Sequence, residues 1–264
     1  MLENKKEFKL IQKKNPKSLL PNALTIFGVC LGLSSIKFSL DSNYAMAVVA
    51  IGFAAILDTL DGRVARLIKG TSKVCKELDS LTDVISFGVA PGFIMYFWTL
   101  NQIGKLGWML VLIYTVCCAL RLARFNLTTI DENETWKINF FEGVPSPAAA
   151  GLVLLPLILS LSGLLEFKNY ALISVVFILL TSILMVSKIP TYSLKRILIP
   201  RHFAIFLLLG IGIYVSLLIF YTFETLFLTG IIYLLLIPIS FFHYNRKNKK
   251  LSVPLNEDET EDVL

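Results

Sequence analysis

Long apolar stretches alternate with short polar ones along most of the chain. One α-helix needs about 20 mostly apolar residues to cross a bilayer, and eight stretches meet or approach that length, some with polar interruptions. They lie at roughly 20–40, 44–68, 78–100, 107–126, 146–165, 170–187, 203–222 and 226–243. The pattern predicts an all-α polytopic membrane protein with about eight transmembrane helices.

The composition indicates one membrane domain. Of the 264 residues 55% are hydrophobic, and the mean hydropathy of +0.71 is too high for an ordinary soluble domain. We expect a membrane domain over 19–244, preceded by a basic cytosolic segment at 1–18. The tail at 245–264 is basic and then acidic, which is typical of a disordered cytosolic segment.

The positions of lysine and arginine predict the orientation. If the N-terminus is cytosolic, 22 of the 25 basic residues fall on the cytosolic side, and only Lys37, Lys105 and Lys168 fall on the other. Cytosolic loops of membrane proteins carry this excess, so we expect a multi-pass protein of the inner (cytoplasmic) membrane with both termini cytosolic. The bias also explains the net charge of +6 without a nucleic-acid partner.

Four aspartates stand out, because carboxylates inside membrane helices are energetically costly and usually functional. Asp58 and Asp61 lie about 14 and 17 residues into the second predicted helix, or roughly 21–26 Å along it. In a hydrocarbon core about 30 Å thick, that depth is near the cytosolic boundary. The third predicted helix starts near Leu78, so Asp79 and Asp83 lie at the same boundary. Each pair has helical spacing and occupies one helix face, and a short loop lets the pairs face each other.

Four close carboxylates repel one another, and a bound divalent cation relieves that repulsion. Ligands that offer only oxygen suit Mg²⁺, Mn²⁺ or Ca²⁺ rather than zinc, and four aspartates could hold two ions, as in displacement at phosphorus. The alternative is structural: ion pairs with Arg63, Arg66 or Lys76, or capping of a helix. Asp79 could cap a helix, whereas the first pair lies too deep within one.

The acidic pairs belong to a longer pattern, Asp58-x2-Asp61-Gly62-x2-Ala65-Arg66 followed by Asp79-x3-Asp83. It resembles the signature of the CDP-alcohol phosphotransferase family with the same spacing throughout, although Cys75 stands where the family has its second glycine. The resemblance implies that the four aspartates bind two divalent cations, Mg²⁺ or Mn²⁺, and that Asp83 is also the general base. It implies nucleotide or phosphate contacts at Gly62, Ala65, Arg66 and Cys75. Without it, the small residues could equally admit another helix, and Arg66 could simply reach the interface.

Longer segments resemble the serine-using branch of that family, the bacterial membrane-embedded phosphatidylserine synthases. They are PNALTIFGVCLGLSSI, DSLTDVISFGVAPG, CALRLARFN, FEGVPSPAAAG and LMVSKIPTYSLKR. The resemblance implies transfer of a phosphatidyl group from CDP-diacylglycerol to the hydroxyl of L-serine, giving phosphatidylserine and CMP, and it implies a homodimer. It also places Pro21, Asn22 and Thr25 at the cytidine site, although Pro21 and Asn22 could simply start a helix.

A serine carboxylate favours arginine as a partner. Arg121 and Arg124 lie three residues apart on the fourth predicted helix, at a depth similar to that of the aspartates, and Asn126 could assist them. Basic residues near Pro190 could contact lipid phosphate; they are Lys188, Lys195 and Arg196. For all of these, anchoring of a helix end or a solvated basic loop is the structural alternative.

The sequence is also compatible with two other functions. The acceptor alcohol could be glycerol-3-phosphate, inositol phosphate or choline instead of serine. A protein of another class, a cation-coupled transporter, would also place carboxylates in a membrane. Transporter sites usually lie near the midplane between repeated halves, whereas these aspartates lie near one face and no repeat is visible.

Overall fold

The computed structural model describes residues 19–67, 73–127, 140–165, 167–192 and 203–251. Within them the helices are α1 (Leu19–Leu40), α2 (Tyr44–Leu67), α3 (Lys73–Asp83), α4 (Ala90–Trp98), α5 (Lys105–Leu127), α6 (Ser146–Val153), α7 (Leu155–Ser162), α8 (Tyr170–Val186), α9 (Ala204–Phe220) and α10 (Thr222–Leu251). A π-helical segment, Val84–Val89, joins α3 to α4, and a 3-10 turn, Leu100–Ile103, precedes α5. Two short strands, β1 (Phe140–Glu142) and β2 (Pro190–Tyr192), pair antiparallel.

The helices are those of a membrane-embedded protein. Among the described residues, five stretches are long and apolar enough to cross a bilayer: Asn22–Leu40, Tyr44–Val64, Glu77–Trp98, Lys105–Leu127 and Thr222–Tyr244. The apolar helices Tyr170–Val186 and Ile205–Phe220 are shorter. Large apolar side chains are exposed on these helices, as Phe206 and Leu208 are on α9. The predicted all-helical polytopic class is therefore confirmed, whereas eight spans and the orientation stay predictions.

The predicted helix at 146–165 is interrupted. Pro156 has no N–H to donate to Leu152 O, so the hydrogen-bond ladder breaks and α6 ends at Val153. The next helix, α7, ends at Ser162 and is followed by Gly163, whose φ of 66° suits a helix C-terminus.

Helix α1 carries a buried stripe of small and hydroxylated residues, spaced three or four apart: Thr25, Gly28, Gly32, Ser35 and Ser39. Small residues let helix backbones approach closely in membranes. A Cβ on Gly32 would lie 2.6 Å from Ser86 Oγ, so only glycine allows this packing. Along this stripe α1 packs against α2, α3 and the π-helical segment, and Thr25 lies within hydrogen-bonding distance of Asp61.

The π-helical segment begins directly after Asp83 and is tied to Pro91. Because Pro91 has no N–H, it cannot donate to Phe87 O four residues earlier. Tyr114 OH on α5 donates to Phe87 O instead, at 2.7 Å, and is fully buried there. π-helical turns are rare and recur at functional sites, and this one directly follows Asp83.

The strand pair fixes where α6 begins. Gly143 N donates to Ile189 O at 2.9 Å, and Thr191 Oγ1 donates to Gly143 O at 2.8 Å. Gly143 has a φ of 75°, and a Cβ there would lie 2.8 Å from Met185 O, so glycine is needed on both counts. The residues just before α6 are therefore held against the end of α8, and Ser146 follows them.

Candidate active site

Three carboxylates from two helices converge. Oxygen atoms of Asp58, Asp61 and Asp79 all lie within 4.8 Å of one another. Asp58 and Asp61 come from the C-terminal half of α2, and Asp79 comes from α3. Helix α3 starts at Lys73 rather than near Leu78, so Asp79 lies within the helix and does not cap it.

Asp83 lies beside this group, against Asp58, and has its own set of partners. Ser146 Oγ donates to Asp83 Oδ2 at 2.9 Å, and Arg121 Nη1 donates to Ser146 Oγ at 2.9 Å. Arg121 is only 8% exposed and Ser146 is completely buried. The other carboxylate oxygen, Asp83 Oδ1, is buried and has no hydrogen-bond donor among the described residues. Ser146 thus links the Asp83 carboxylate to the buried guanidinium of Arg121 and orients it.

The acidic group fits a divalent cation. Its ligands are carboxylate oxygens only, the set that Mg²⁺, Mn²⁺ and Ca²⁺ prefer. Buried charges are costly unless they are paired or bind a metal, and three carboxylates lie within 4.8 Å of one another here. The ligand set therefore matches the ion class expected from the sequence.

The predicted nucleotide residues are described in part. Thr25 is buried and donates its hydroxyl to Asp61 Oδ2 at 2.9 Å, so it orients a carboxylate of the acidic group. Asn22 is half-buried in the first turns of α1. Pro21 is also in α1, but its side chain lies outside the described part of the structure.

Gly62 follows Asp61 on α2. A Cβ on Gly62 would meet no described atom within 4 Å, so no described helix packs there. Of the two sequence alternatives, approach of a ligand or of a helix, this favours a ligand. Ala65 and Arg66 are in α2 and Cys75 is in α3, but their side chains are outside the described part of the structure.

The three residues predicted for serine binding have different surroundings. Arg121 is in the site. Asn126 Nδ2 donates to Ser80 Oγ at 2.9 Å, next to Asp79 along α3. Arg124 donates to the last carbonyls of α8, Val186 O at 2.8 Å and Ser187 O at 3.2 Å, so it stabilises that helix end.

The basic residues predicted near the lipid phosphate are largely undescribed. Lys188 lies exposed in the segment between α8 and β2. Lys195 and Arg196 fall in 193–202, outside the described residues.

The site also contains a residue that sequence reasoning did not single out, Ser146. Its only local signal is a hydroxyl before proline at the start of an apolar helix, which normally indicates no more than a helix N-terminus. The pairing with Asp83 spans 63 residues and depends on the strand pair that holds the start of α6.

Comparison with known proteins identifies a family whose matched region includes the candidate site. Residues 18–239 match the model of the family described as CDP-alcohol phosphatidyltransferase, and the chain belongs to that family. The matched range contains all four aspartates, Arg121 and Ser146. The chain is accordingly an enzyme of the phosphatidyltransferase class.

Several relatives carry a more specific name, CDP-diacylglycerol–serine O-phosphatidyltransferase. One from Mycobacterium leprae (strain TN) is 34% identical over 223 residues, covering 84% of this chain and 74% of that protein. One from Mycobacterium bovis (strain ATCC BAA-935 / AF2122/97) is 39% identical over 204 residues, covering 74% and 68%. One from Helicobacter pylori (strain ATCC 700392 / 26695) is 40% identical over 183 residues, covering 69% and 76%.

Proposed function

We propose that this protein transfers the phosphatidyl group of CDP-diacylglycerol to the hydroxyl of L-serine, giving phosphatidylserine and CMP. The observation that carries the proposal is the group of carboxylates on α2 and α3, linked through Ser146 to the buried Arg121. Metal-binding carboxylates suit a diphosphate substrate, and a buried arginine suits an acceptor that carries a carboxylate. The names of the relatives support serine as that acceptor.

Asp58, Asp61, Asp79 and Asp83 would together hold two divalent cations, Mg²⁺ or Mn²⁺. When bound, such ions offset the negative charge of a diphosphate and of the transition state for phosphoryl transfer. Thr25 supports this arrangement, because its hydroxyl fixes the orientation of the Asp61 carboxylate.

Asp83 is the proposed general base. Ser146 holds Oδ2, which leaves Oδ1 to take the proton of the serine hydroxyl. The hydroxyl oxygen then bonds to the phosphorus that carries the diacylglycerol. The bond from that phosphorus to the oxygen bridging the two phosphates breaks, and CMP leaves with the bridging oxygen.

The remaining predicted contacts keep their roles in the proposal. The cytidine diphosphate would lie along Pro21, Asn22, Thr25, Gly62, Ala65, Arg66 and Cys75, and the lack of any described atom within 4 Å of a Cβ on Gly62 supports a ligand there. Serine would bind at Arg121, Arg124 and Asn126, although Arg124 also donates to the end of α8 and Asn126 to Ser80. Lys188, Lys195 and Arg196 would contact the lipid or its phosphate.

The proposed topology has eight membrane-crossing segments over 19–244 in the inner membrane, with 1–18 and 245–264 in the cytosol. The positive-inside bias supports it, and so does the chemistry, because it brings the acidic group to the cytosolic face, where water-soluble serine and CMP exchange. A homodimer, which family resemblance implies, completes the proposal.

The test is CMP release by the purified protein from CDP-diacylglycerol with Mg²⁺ or Mn²⁺. The acceptors compared are L-serine, glycerol-3-phosphate, inositol phosphate and choline. We expect release with L-serine and loss of release in Asp83→Asn. A matched control is Asp41→Asn, an exposed aspartate that pairs with Lys37 at the far end of α1. Release with another acceptor but not with serine would refute the proposed acceptor.

A further inference from the structure

Buried polar atoms without partners are few in the described part of the chain. They are Ser39 Oγ, Asp83 Oδ1, Arg121 Nε, Ser174 Oγ, Tyr233 OH and Ser240 Oγ. Each such atom calls for an explanation, because its desolvation is not offset by a hydrogen bond. Two of the six, Asp83 Oδ1 and Arg121 Nε, belong to side chains that hydrogen-bond to Ser146. A third, Tyr233 OH, belongs to a side chain in the electrostatic neighbourhood of Arg121.

Tyr233 reaches this position because α10 runs close to the core. At Gly230 a Cβ would lie 2.0 Å from Leu155 Cδ1, so the glycine lets α10 pack directly on this side chain of α7. Tyr233 is one turn further along the helix. Its hydroxyl lies beside Thr191, which donates its own proton to Gly143 O instead. The phenol hydroxyl is buried and has no partner at hydrogen-bonding distance among the described residues.

The unused groups on this side of the site are hydrogen-bond donors. Arg121 uses Nη1 for Ser146 and stacks 5.8 Å above the ring of Phe125, while Nε is buried with no acceptor among the described residues. Tyr233 OH is a second such donor. Two buried donors, one of them cationic, suit a carboxylate, which accepts from both at once.

We propose that Arg121 Nε and Tyr233 OH bind the carboxylate of the acceptor amino acid, and that Tyr233 makes the enzyme selective for an acceptor that carries one. The inference rests on the proposed function and adds a specificity residue on α10 to it. A site built to hydrogen-bond a substrate group discriminates strongly against analogues that lack the group, because its own buried donors are then left unpaired.

The dimensions of the site limit the acceptor further. Two hydrogen bonds of 2.9 Å connect Arg121 to Asp83 through Ser146, so the two side chains are at most about 6 Å apart at these atoms. An acceptor must present its hydroxyl to Asp83 and its anion to Arg121 and Tyr233 within that span. Serine meets this condition, since only two carbons separate its hydroxyl from its carboxylate. Choline and ethanolamine carry an ammonium group and no carboxylate, so neither could accept hydrogen bonds from Arg121 and Tyr233.

The experiment compares Tyr233→Phe with wild type. The control is Tyr221→Phe, a similar change at an exposed tyrosine between α9 and α10. Tyr233→Phe removes a hydrogen bond to a charged group of the substrate, so we expect the KM for L-serine to rise about 10- to 100-fold. The KM for CDP-diacylglycerol should stay within twofold, and the preference for L-serine over ethanolamine should fall by a similar factor.

A second readout does not depend on turnover. Since Tyr233 OH makes no hydrogen bond with the described residues, Tyr233→Phe should unfold at the wild-type temperature without serine. Added L-serine should raise that temperature for wild type and for Tyr221→Phe, and raise it less for Tyr233→Phe.

The outcomes separate the two claims. Absence of serine-dependent CMP release by wild type would overturn the proposed function and this inference with it. Serine-dependent release by wild type, combined with an unchanged serine KM in Tyr233→Phe, would overturn the inference alone. A rise in the KM for CDP-diacylglycerol equal to that for serine would also overturn it, because Tyr233 would then act on the lipid side or on the fold.

Discussion

Ser146→Ala tests the hydrogen-bonded connection between the buried Arg121 and Asp83, the proposed general base. The substitution removes one donor, to Asp83 Oδ2, and one acceptor, for Arg121 Nη1, each at 2.9 Å. Ser146 is completely buried at the start of α6, so alanine fits without a clash and keeps the helix. The change therefore leaves Asp83 free to rotate while all four aspartates remain.

The size of the effect follows from these contacts. A hydrogen bond to a charged group contributes about 1.5–3 kcal/mol, and about 1.4 kcal/mol of lost transition-state stabilisation is a tenfold loss of rate. If the bond to Asp83 is lost in the transition state, kcat should fall about 10- to 100-fold. The KM for CDP-diacylglycerol should change little, because Ser146 contacts the base and Arg121 and none of the three clustered carboxylates.

The assay is CMP release at saturating CDP-diacylglycerol and metal, with L-serine varied. Ser182→Ala is a matched control: it is also a buried serine, but its hydroxyl donates within α8, to Ile178 O at 2.6 Å. Ser146→Thr retains a hydroxyl and should recover part of the lost rate. A kcat within twofold of wild type in Ser146→Ala would refute the role given to this serine.

Two further predictions concern the metal and nucleotide sides. Thr25→Val removes the hydrogen bond to Asp61 and should raise the metal concentration needed for half-maximal activity about tenfold. Titration of activity with Mg²⁺ or Mn²⁺ measures this concentration, and an unchanged value would contradict the role of Thr25. Gly62→Leu adds a side chain next to Asp61, at a position where no described atom lies within 4 Å of the new Cβ. The protein should therefore keep its unfolding temperature while its KM for CDP-diacylglycerol rises. A loss of folding with no change in that KM would mean that a helix rather than a ligand occupies the space.

The positions of the helices were largely predictable from hydropathy. The predicted stretches at 44–68 and 170–187 agree closely with Tyr44–Leu67 and Tyr170–Val186. Hydropathy reports where apolar residues end, not where hydrogen bonding ends, so the prediction stopped at 243 although α10 continues to Leu251. The break at Pro156 and the π-helical segment after Asp83 were not predicted, because each depends on which carbonyls a proline leaves unpaired and what else satisfies them.

The acidic part of the candidate site was visible in the sequence because its residues are close along two helices, at helical spacing. The contacts that orient it were not. Thr25 meets Asp61 across 36 residues, and Ser146 meets Asp83 across 63. Arg124 was predicted to act with Arg121 because the two lie three residues apart, but its guanidinium donates to carbonyls at the end of α8. Spacing shows which residues share a face, whereas these partners depend on how helices distant in sequence pack together.

The most direct test of the central claim follows both products of one reaction. Purified protein is incubated with CDP-diacylglycerol, a divalent cation and isotopically labelled L-serine, and CMP and labelled phosphatidylserine are quantified together. We predict equal amounts of the two products, both abolished by chelation of the metal and by Asp83→Asn, and both retained in Asp41→Asn. CMP released without incorporation of serine, or formed equally well by Asp83→Asn, would contradict the assignment of this acidic site to serine phosphatidyl transfer.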